Sequence, residues 1–366
     1  MRFRFCMSAC DFVKQDRQAF PLYEKHGCGL SHALYSKGRQ DCARIALNDV
    51  LSLAMPFFGL IFLGFFCGKL IKAPPDGLQW MNFFIVYVAL PAMMFKLISL
   101  APFEQLGNWP YVLGTTLSTF IVFVLAFVTG LVTTRDIRQS TIQSVIGAYA
   151  NIGYMGPGLT LAALGPSAIV PAALIFVFDN TLHFTLVPFL MALGSNEKMK
   201  LGQTAWFVVR RVVSHPFNIA TGLGLLAAYA RYVPPAPIDT MLVFLKNAAA
   251  PCALFALGVT VALRPLRSVP VEMPVLLVIK LLLHPLIVWL ILSWLGDFGW
   301  EWTMTAVLMA ALPPALNVFV IANQYRVYVE QASAAILVGT IVSVFTVTGL
   351  LWLMSQHIVP QRFMLP

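Results

Sequence analysis

AYANIGYMGPGLTLAAL, Ala148–Leu164, lies inside an apolar run long enough to cross a bilayer, yet carries Asn151, Gly153, Gly156, Pro157 and Gly158 within eight positions. Inside a helix glycine costs roughly 1 kcal/mol and proline roughly 3 kcal/mol relative to alanine. In hydrocarbon every freed backbone N–H and C=O needs a partner, so a broken helix survives there only when buried in protein or lining a wet cavity. A kinked helix packed through its glycines is the other reading of this stretch taken alone. A second interrupted run, MAALPPALNVFVIANQY at Met309–Tyr325, carries Pro313, Pro314 and Asn317. Two broken hydrophobic segments at corresponding places in two halves point to the binding site of a transporter.

The composition agrees. The chain of 366 residues is 59% hydrophobic and 11% charged, where soluble domains carry about 25% charged residues. That identifies an integral membrane protein. Its apolar runs of 20-odd residues mean helices, because barrel strands alternate and span in about ten residues. The net charge of +9 comes from basic residues scattered through links, as orientation during membrane insertion requires. It gives no footprint for nucleic acid.

Ten spans follow from hydropathy: Val50–Leu70, Met81–Leu100, Trp109–Thr133, Thr141–Leu164, Ala168–Leu193, Val212–Ala230, Ile238–Leu263, Val271–Leu295, Trp302–Ala322 and Ala332–Met354. Seven of the eight tryptophans fall at or near their ends, as an interfacial aromatic belt does. Gly64 and Gly68 give the first span a small-xxx-small face suited to helix packing. Eleven Lys/Arg lie at the end of span 1 (Lys69) or in the links after spans 1, 3, 5, 7 and 9, among them Arg135, Arg138, Lys198 and Arg326; the opposite links carry little beyond Lys96 and Arg231. The odd links are therefore expected in the cytoplasm and both termini outside.

Residues 1–49 are polar, with eight Lys/Arg against five Asp/Glu, and hold Cys6, Cys10, Cys28 and Cys42 in no strong zinc or redox spacing. They read as a disordered extension, with initiation at a later methionine such as Met55 as the alternative. Their eight basic residues argue against the outward N-terminus if they belong to the mature protein. The expected organisation is this extension, a five-helix repeat over 50–193, a short cytoplasmic link over 194–211, a second repeat over 212–354 and a tail over 355–366. ALPAMMF around Pro91 matches AAPCALF around Pro251, and both Pro91/Pro251 and Phe95/Phe255 lie 160 residues apart. Five helices is an odd number, so the second copy enters with opposite polarity. The fold expected is an all-α polytopic membrane protein in a 5+5 inverted repeat, the arrangement associated with alternating access.

There is no GxxxxGK[ST], HExxH or GxGD, so neither ATP hydrolysis nor a protease site is indicated; no catalytic residue, metal site or cofactor is assigned. A charge at the membrane centre costs at least roughly 2.5–3.5 kcal/mol, which singles out Asp179 (followed by Asn180), Lys246, Lys280, His183 and His284. Asp179 reads either as a proton-coupling acid or as the structural partner of a lysine. Lys280 suits an anionic substrate or neutralisation of Asp179. Lys246 fits snorkelling to the surface, and the histidines fit packed, hydrogen-bonded roles as well as proton carriage. The candidate substrate-binding set at the breaks is Asn151, Gly153, Gly156, Pro157, Pro313, Pro314 and Asn317; the candidate coupling or charge-pair set is Asp179, Asn180, Lys280 and His284. An asparagine offers both a donor and an acceptor, and a helix N-terminus carries roughly half a positive charge, so the breaks suit a carboxylate.

NIGYMGPGLTLAALG from Asn151, APCALFALGVTVAL from Ala250, KLLLHPLIVWL from Lys280 and ALPPALNVFVIANQY from Ala311 together resemble the auxin efflux carrier family of membrane transporters, over about Val50 to Met354. The resemblance implies helices 4 and 9 crossing at their breaks, as in sodium/proton antiporter-like folds, export of small organic anions, and homodimers formed through helices 1, 2, 6 and 7. The short link at Gly194–Arg211 looks like the bacterial branch of malonate and malate carriers, in an inner membrane, rather than the long-loop plant exporters. The function expected is a secondary carrier of small carboxylates; a membrane-embedded enzyme or sensor using the same cavity is the alternative.

Overall fold

The computed structural model describes residues 55–71, 77–100, 107–194, 206, 210, 213–214, 216–263, 270–356 and 358–360. The 1–49 extension, most of the 194–211 link and residues 361–366 lie outside them, and with them the expectations made there. The described residues all fall in one unit, Leu53–Pro366.

The chain order is α1 Met55–Ile71 and α2 Leu78–Ile98, then α3 Trp109–Thr134, α4a Ile137–Ala148, α4b Gly156–Leu164 and α5 Ile169–Leu193. It continues with α6 Pro216–Tyr229, α7 Ala236–Ala262, α8 Met273–Leu295, α9a Trp300–Ala310, α9b Asn317–Tyr325 and α10 Val329–Ser355. Among the described residues six helices (α2, α3, α5 with the turn before it, α7, α8 and α10) are long and apolar enough to cross a membrane, α1 and α6 are shorter apolar helices, and no strand occurs.

Both interrupted stretches are true breaks. α4a ends at Ala148 because Tyr149 turns to extended backbone (φ −80°, ψ 98°); Pro313 and Pro314, which lack N–H donors, separate α9a from α9b. The freed backbone groups satisfy each other: Asn151 N–H donates to Pro313 C=O at 2.8 Å, and Ala315 N–H donates to Tyr149 C=O at 2.9 Å. This two-bond antiparallel bridge, Ala150 opposite Pro314, is how the two breaks cross. Residues 140–152 and 303–316 are continuously buried, so the irregular backbone meets protein rather than lipid, the condition under which it is tolerated. Gly339 of α10 admits the crossing: a Cβ there would lie 2.6 Å from Pro314 Cδ.

Among the described residues, the starts of α4a, α8 and α10 and the end of α9b lie together. Arg138 donates to Tyr325 C=O at 3.2 Å, joining the start of α4a to the end of α9b. Nearby, Gln143 and Tyr328 both donate to Glu272, and burial together with that bond pushes the Tyr328 hydroxyl well above its usual value. At the other end, Tyr111 donates to Trp302 C=O at 3.0 Å and Lys96 pairs with Asp239. The basic links before α4a and after α9b therefore share one end.

α1 packs on α7 through glycine. A Cβ at Gly64 would lie 2.2 Å from Phe255 O, and one at Gly258 2.0 Å from Ile61 O. The small-residue face expected on the first span is thus used, with Gly258 as its counterpart. α2 and α8 each contain a π-helical turn, Ile85–Ala89 and Ile279–Leu283, just ahead of Pro91 and Pro285. A π turn absorbs the hydrogen bond that proline cannot make.

Candidate functional site at the crossing

Four half-helices meet at the crossing with a fixed polarity. α4b and α9b begin there and aim the positive ends of their dipoles at it; α4a and α9a finish there. Between them lies a cavity of about 50 Å³ lined by Tyr149, Ala150, Asn151, Gly153, Tyr154, Ala315 and Asn317, with Val86 and Leu90 of α2 and Phe176 of α5. Asn151 is 1% exposed, and neither its Nδ2 nor its Oδ1 has a hydrogen-bond partner. Leaving a buried polar group unpaired costs about 1–3 kcal/mol, and this amide has two such atoms. Asn317 donates from Nδ2 to the Tyr149 hydroxyl at 2.9 Å; that hydroxyl donates to Asn180 Oδ1, and Asn180 Nδ2 donates to Phe176 C=O at 2.7 Å.

Asn317 also lines a larger cavity of about 310 Å³, with Tyr87, Phe184, Ser214, Pro216, Val320 and Ile321. α9b runs from Asn317 toward the Arg138–Tyr325 bond, so this second space lies on the basic side of the crossing.

The ionisable residues form a separate buried chain beside the crossing. The Thr119 hydroxyl lies 3.2 Å from both carboxylate oxygens of Asp179 and 3.3 Å from His284 Nε2. His284 Nδ1 lies 3.1 Å from Lys280 Nζ, which donates to Ala310 C=O at 2.5 Å. Lys280 is 0% exposed and sits in the π turn of α8. Its ammonium caps the last carbonyl of α9a, where a cation is favoured. Lys280 and Asp179 do not touch; Thr119 and His284 stand between them. His183 accompanies Asp179 rather than joining this chain: its Nδ1 meets Asp179 C=O at 2.7 Å and its ring stacks on Tyr149 at 4.3 Å.

Of the residues singled out at the breaks, Asn151, Gly153 and Asn317 line the cavity. Gly156, Pro157, Pro313 and Pro314 build it instead: Gly156 packs on Met309, Pro157 occupies the first turn of α4b, and the prolines form the bridge. Asp179, Lys280 and His284 come together, and Asn180 joins the asparagine–tyrosine chain. Sequence reasoning missed Tyr149, two positions before Asn151, and Thr119, one of several hydroxyls on α3; neither stands out without the fold. Lys246, outside both chains, is half-buried in α7.

Residues 49–351 match the family of membrane transport proteins. The chain is 48% identical over 315 residues, 86% of its length and 98% of the relative's, to a "Putative malonate transporter" of Rhizobium meliloti (strain 1021). It is 23% identical to the "Uncharacterized transporter YfdV" of Escherichia coli (strain K12), over 83% of this chain and 97% of the other. It is 28% identical over 145 residues, 38% of this chain and 34% of the other, to the "Probable auxin efflux carrier component 9" of Oryza sativa subsp. japonica. With its apolar spanning helices and two crossed breaks, this chain is a multi-pass membrane protein that belongs to the membrane transport protein family of the auxin efflux carriers.

Proposed function

We propose that the protein is a secondary carrier that moves small carboxylates by alternating access, binding the anion at the crossing between Asn151 and Asn317. The observation that carries this is the Asn151 side chain: a buried amide with both polar atoms unpaired, aimed into a cavity flanked by two helix N-termini. A carboxylate accepts from amide and backbone donors without needing a fixed cation. The name of the Rhizobium meliloti relative supports malonate as the first anion to try. The cavity holds about three or four waters, well below the roughly 300–1,000 Å³ of ordinary ligand pockets. The conformation is therefore a nearly closed one, and the adjoining space beyond Asn317 is the route in from the basic side.

A ten-helix, 5+5 inverted repeat accounts for the matching order of elements: a long helix, a broken pair and a long helix, α3–α4–α5 and then α8–α9–α10. The broken halves have 12 and 9 residues in one copy and 11 and 9 in the other. Rocking one copy against the other about the bridge gives alternating access. The basic links then face the cytoplasm of a cell whose inner membrane holds the carrier. Single cysteines at Arg135 or Lys198, in a background without native cysteines, should resist an impermeant thiol reagent in intact cells, and those at Gly165 or Arg231 should react. Labelling at position 135 or 198 from outside contradicts this orientation.

The binding test uses two substitutions with opposite side effects. Asn151→Ala should weaken malonate binding by about 1–3 kcal/mol, because donors are lost in a buried site. The empty protein should melt no lower than the parent, since an unpaired amide is removed. Asn317→Ala should weaken binding and also lower the melting temperature, because the Tyr149 hydroxyl loses its donor. Calorimetric titration and thermal unfolding of purified protein read both quantities; unchanged affinity in both variants removes the site from the crossing.

A further inference from the structure

We propose that Lys280, His284, Thr119 and Asp179 form a buried proton-transfer chain, and that the proton's position along it sets how firmly α9a is held at the crossing. This rests on the carrier reading and adds protons to it as the coupled ion, taken up and released at the ends of the chain when the crossing opens to water on one side or the other.

The hydrogen bonds run in one direction. Ala310 C=O can only accept, so Lys280 Nζ donates to it. The Asp179 carboxylate accepts from the Thr119 hydroxyl, whose oxygen is then free to accept from His284 Nε2–H. That assigns the tautomer, leaving the Nδ1 lone pair to accept from Lys280. Four groups on α3, α5 and α8 are thus ordered donor to acceptor from an ammonium to a carboxylate, the arrangement a concerted relay requires.

One step balances without a co-reactant. Lys280 gives a proton to His284 Nδ1, His284 gives its Nε2 proton to Thr119 Oγ1, and Thr119 gives its hydroxyl proton to Asp179. The charged pair becomes a neutral amine and a neutral carboxylic acid, and every bond in the chain reverses direction. The space bounded by Thr119, Asp179, His284 and Ala310 is about 10 Å³, at most one water, so the side chains rather than a file of waters carry the proton.

The step also changes the hold on the broken helix. An ammonium binds the C-terminal carbonyl of α9a through a charge-assisted bond that the helix dipole reinforces; a neutral amine does so more weakly. Protonating Asp179 at the expense of Lys280 therefore loosens α9a at the break that borders the substrate cavity. The other titratable groups facing the chain are His183 on α5, against the Asp179 backbone, and Tyr149 at the end of α4a, stacked on His183. From α3 comes the buried Tyr111, whose hydroxyl donates to Trp302 C=O. α9a contributes the Ala310 carbonyl.

The test is the ratio of protons to labelled malonate moved into liposomes holding the purified protein. Thr119→Val keeps the shape and removes the hydroxyl; Thr119→Ser keeps the hydroxyl. The ratio should fall toward zero in Thr119→Val and stay near the parent value in Thr119→Ser. An unchanged ratio in Thr119→Val overturns the chain. Malonate movement without protons in the parent overturns it too, while leaving the carrier reading intact. If the parent moves neither malonate nor any other small mono- or dicarboxylate, the carrier reading fails, and infrared difference spectra between acid and neutral pH decide the chain separately. A protonated-carboxyl band that Asp179→Asn removes and Thr119→Val shifts supports it; a band blind to Thr119→Val overturns it.

Discussion

Gly258→Leu should yield little folded protein in the membrane, with whatever survives melting well below the parent. A Cβ at position 258 would lie 2.0 Å from Ile61 O and 2.8 Å from Phe65 N, both backbone atoms of α1, so no side chain can rotate away. Overpacking a tight interface costs about 1–3 kcal/mol and sometimes more. Spanning helices have no hydrophobic drive pulling them back together in lipid, and close packing is what joins them. α1 is therefore expected to separate from α7. Gly222→Leu on α6 is the matched control, because a Cβ there meets nothing within 4 Å, and it should melt like the parent. Detergent-solubilised yield and thermal unfolding of both variants check the expectation, and equal melting of Gly258→Leu and the parent contradicts it.

Lys280→Met should be the most destabilising substitution among the ionisable residues. It removes the ammonium that serves both His284 Nδ1 and Ala310 C=O and leaves Asp179 as a buried carboxylate with no compensating charge in its chain. Breaking a buried charge pair by removing one partner costs about 3–5 kcal/mol. Asp179→Asn combined with Lys280→Met removes the stranded charge, so the double variant should recover most of the loss in thermal stability. A double variant as unstable as Lys280→Met alone would mean that the two charges do not feel each other across Thr119 and His284.

The breaks were legible in sequence because glycine, proline and asparagine are costly inside a spanning helix, and their clustering at Asn151–Gly158 and Pro313–Asn317 is hard to reconcile with a continuous one. Helix ends were less so: α4a begins at Ile137 rather than Thr141 because Asp136 caps it through the N–H groups of Arg138 and Gln139. A polar first turn carries no hydropathy signal. The cavity lining was only half legible. Periodicity does not say which residues of a break face inward, so Gly156, Pro157, Pro313 and Pro314 were grouped with Asn151 although they shape the crossing. Tyr149 and Thr119 acquire their roles from contacts 31 and 60 residues away in sequence. Asp179 and Lys280 stood out from charge alone as candidates, either as a pair or in separate roles; that Thr119 and His284 stand between them could not be read.

The central claim, that the crossing carries a carboxylate across the membrane, is tested most directly by counterflow in sealed liposomes containing only the purified protein and lipid. Vesicles loaded with unlabelled malonate and diluted into a trace of labelled malonate should accumulate label transiently, and Asn151→Ala should blunt the overshoot at equal protein content. Parent vesicles that take up no more label than protein-free ones, whichever small mono- or dicarboxylate is loaded, would contradict the account.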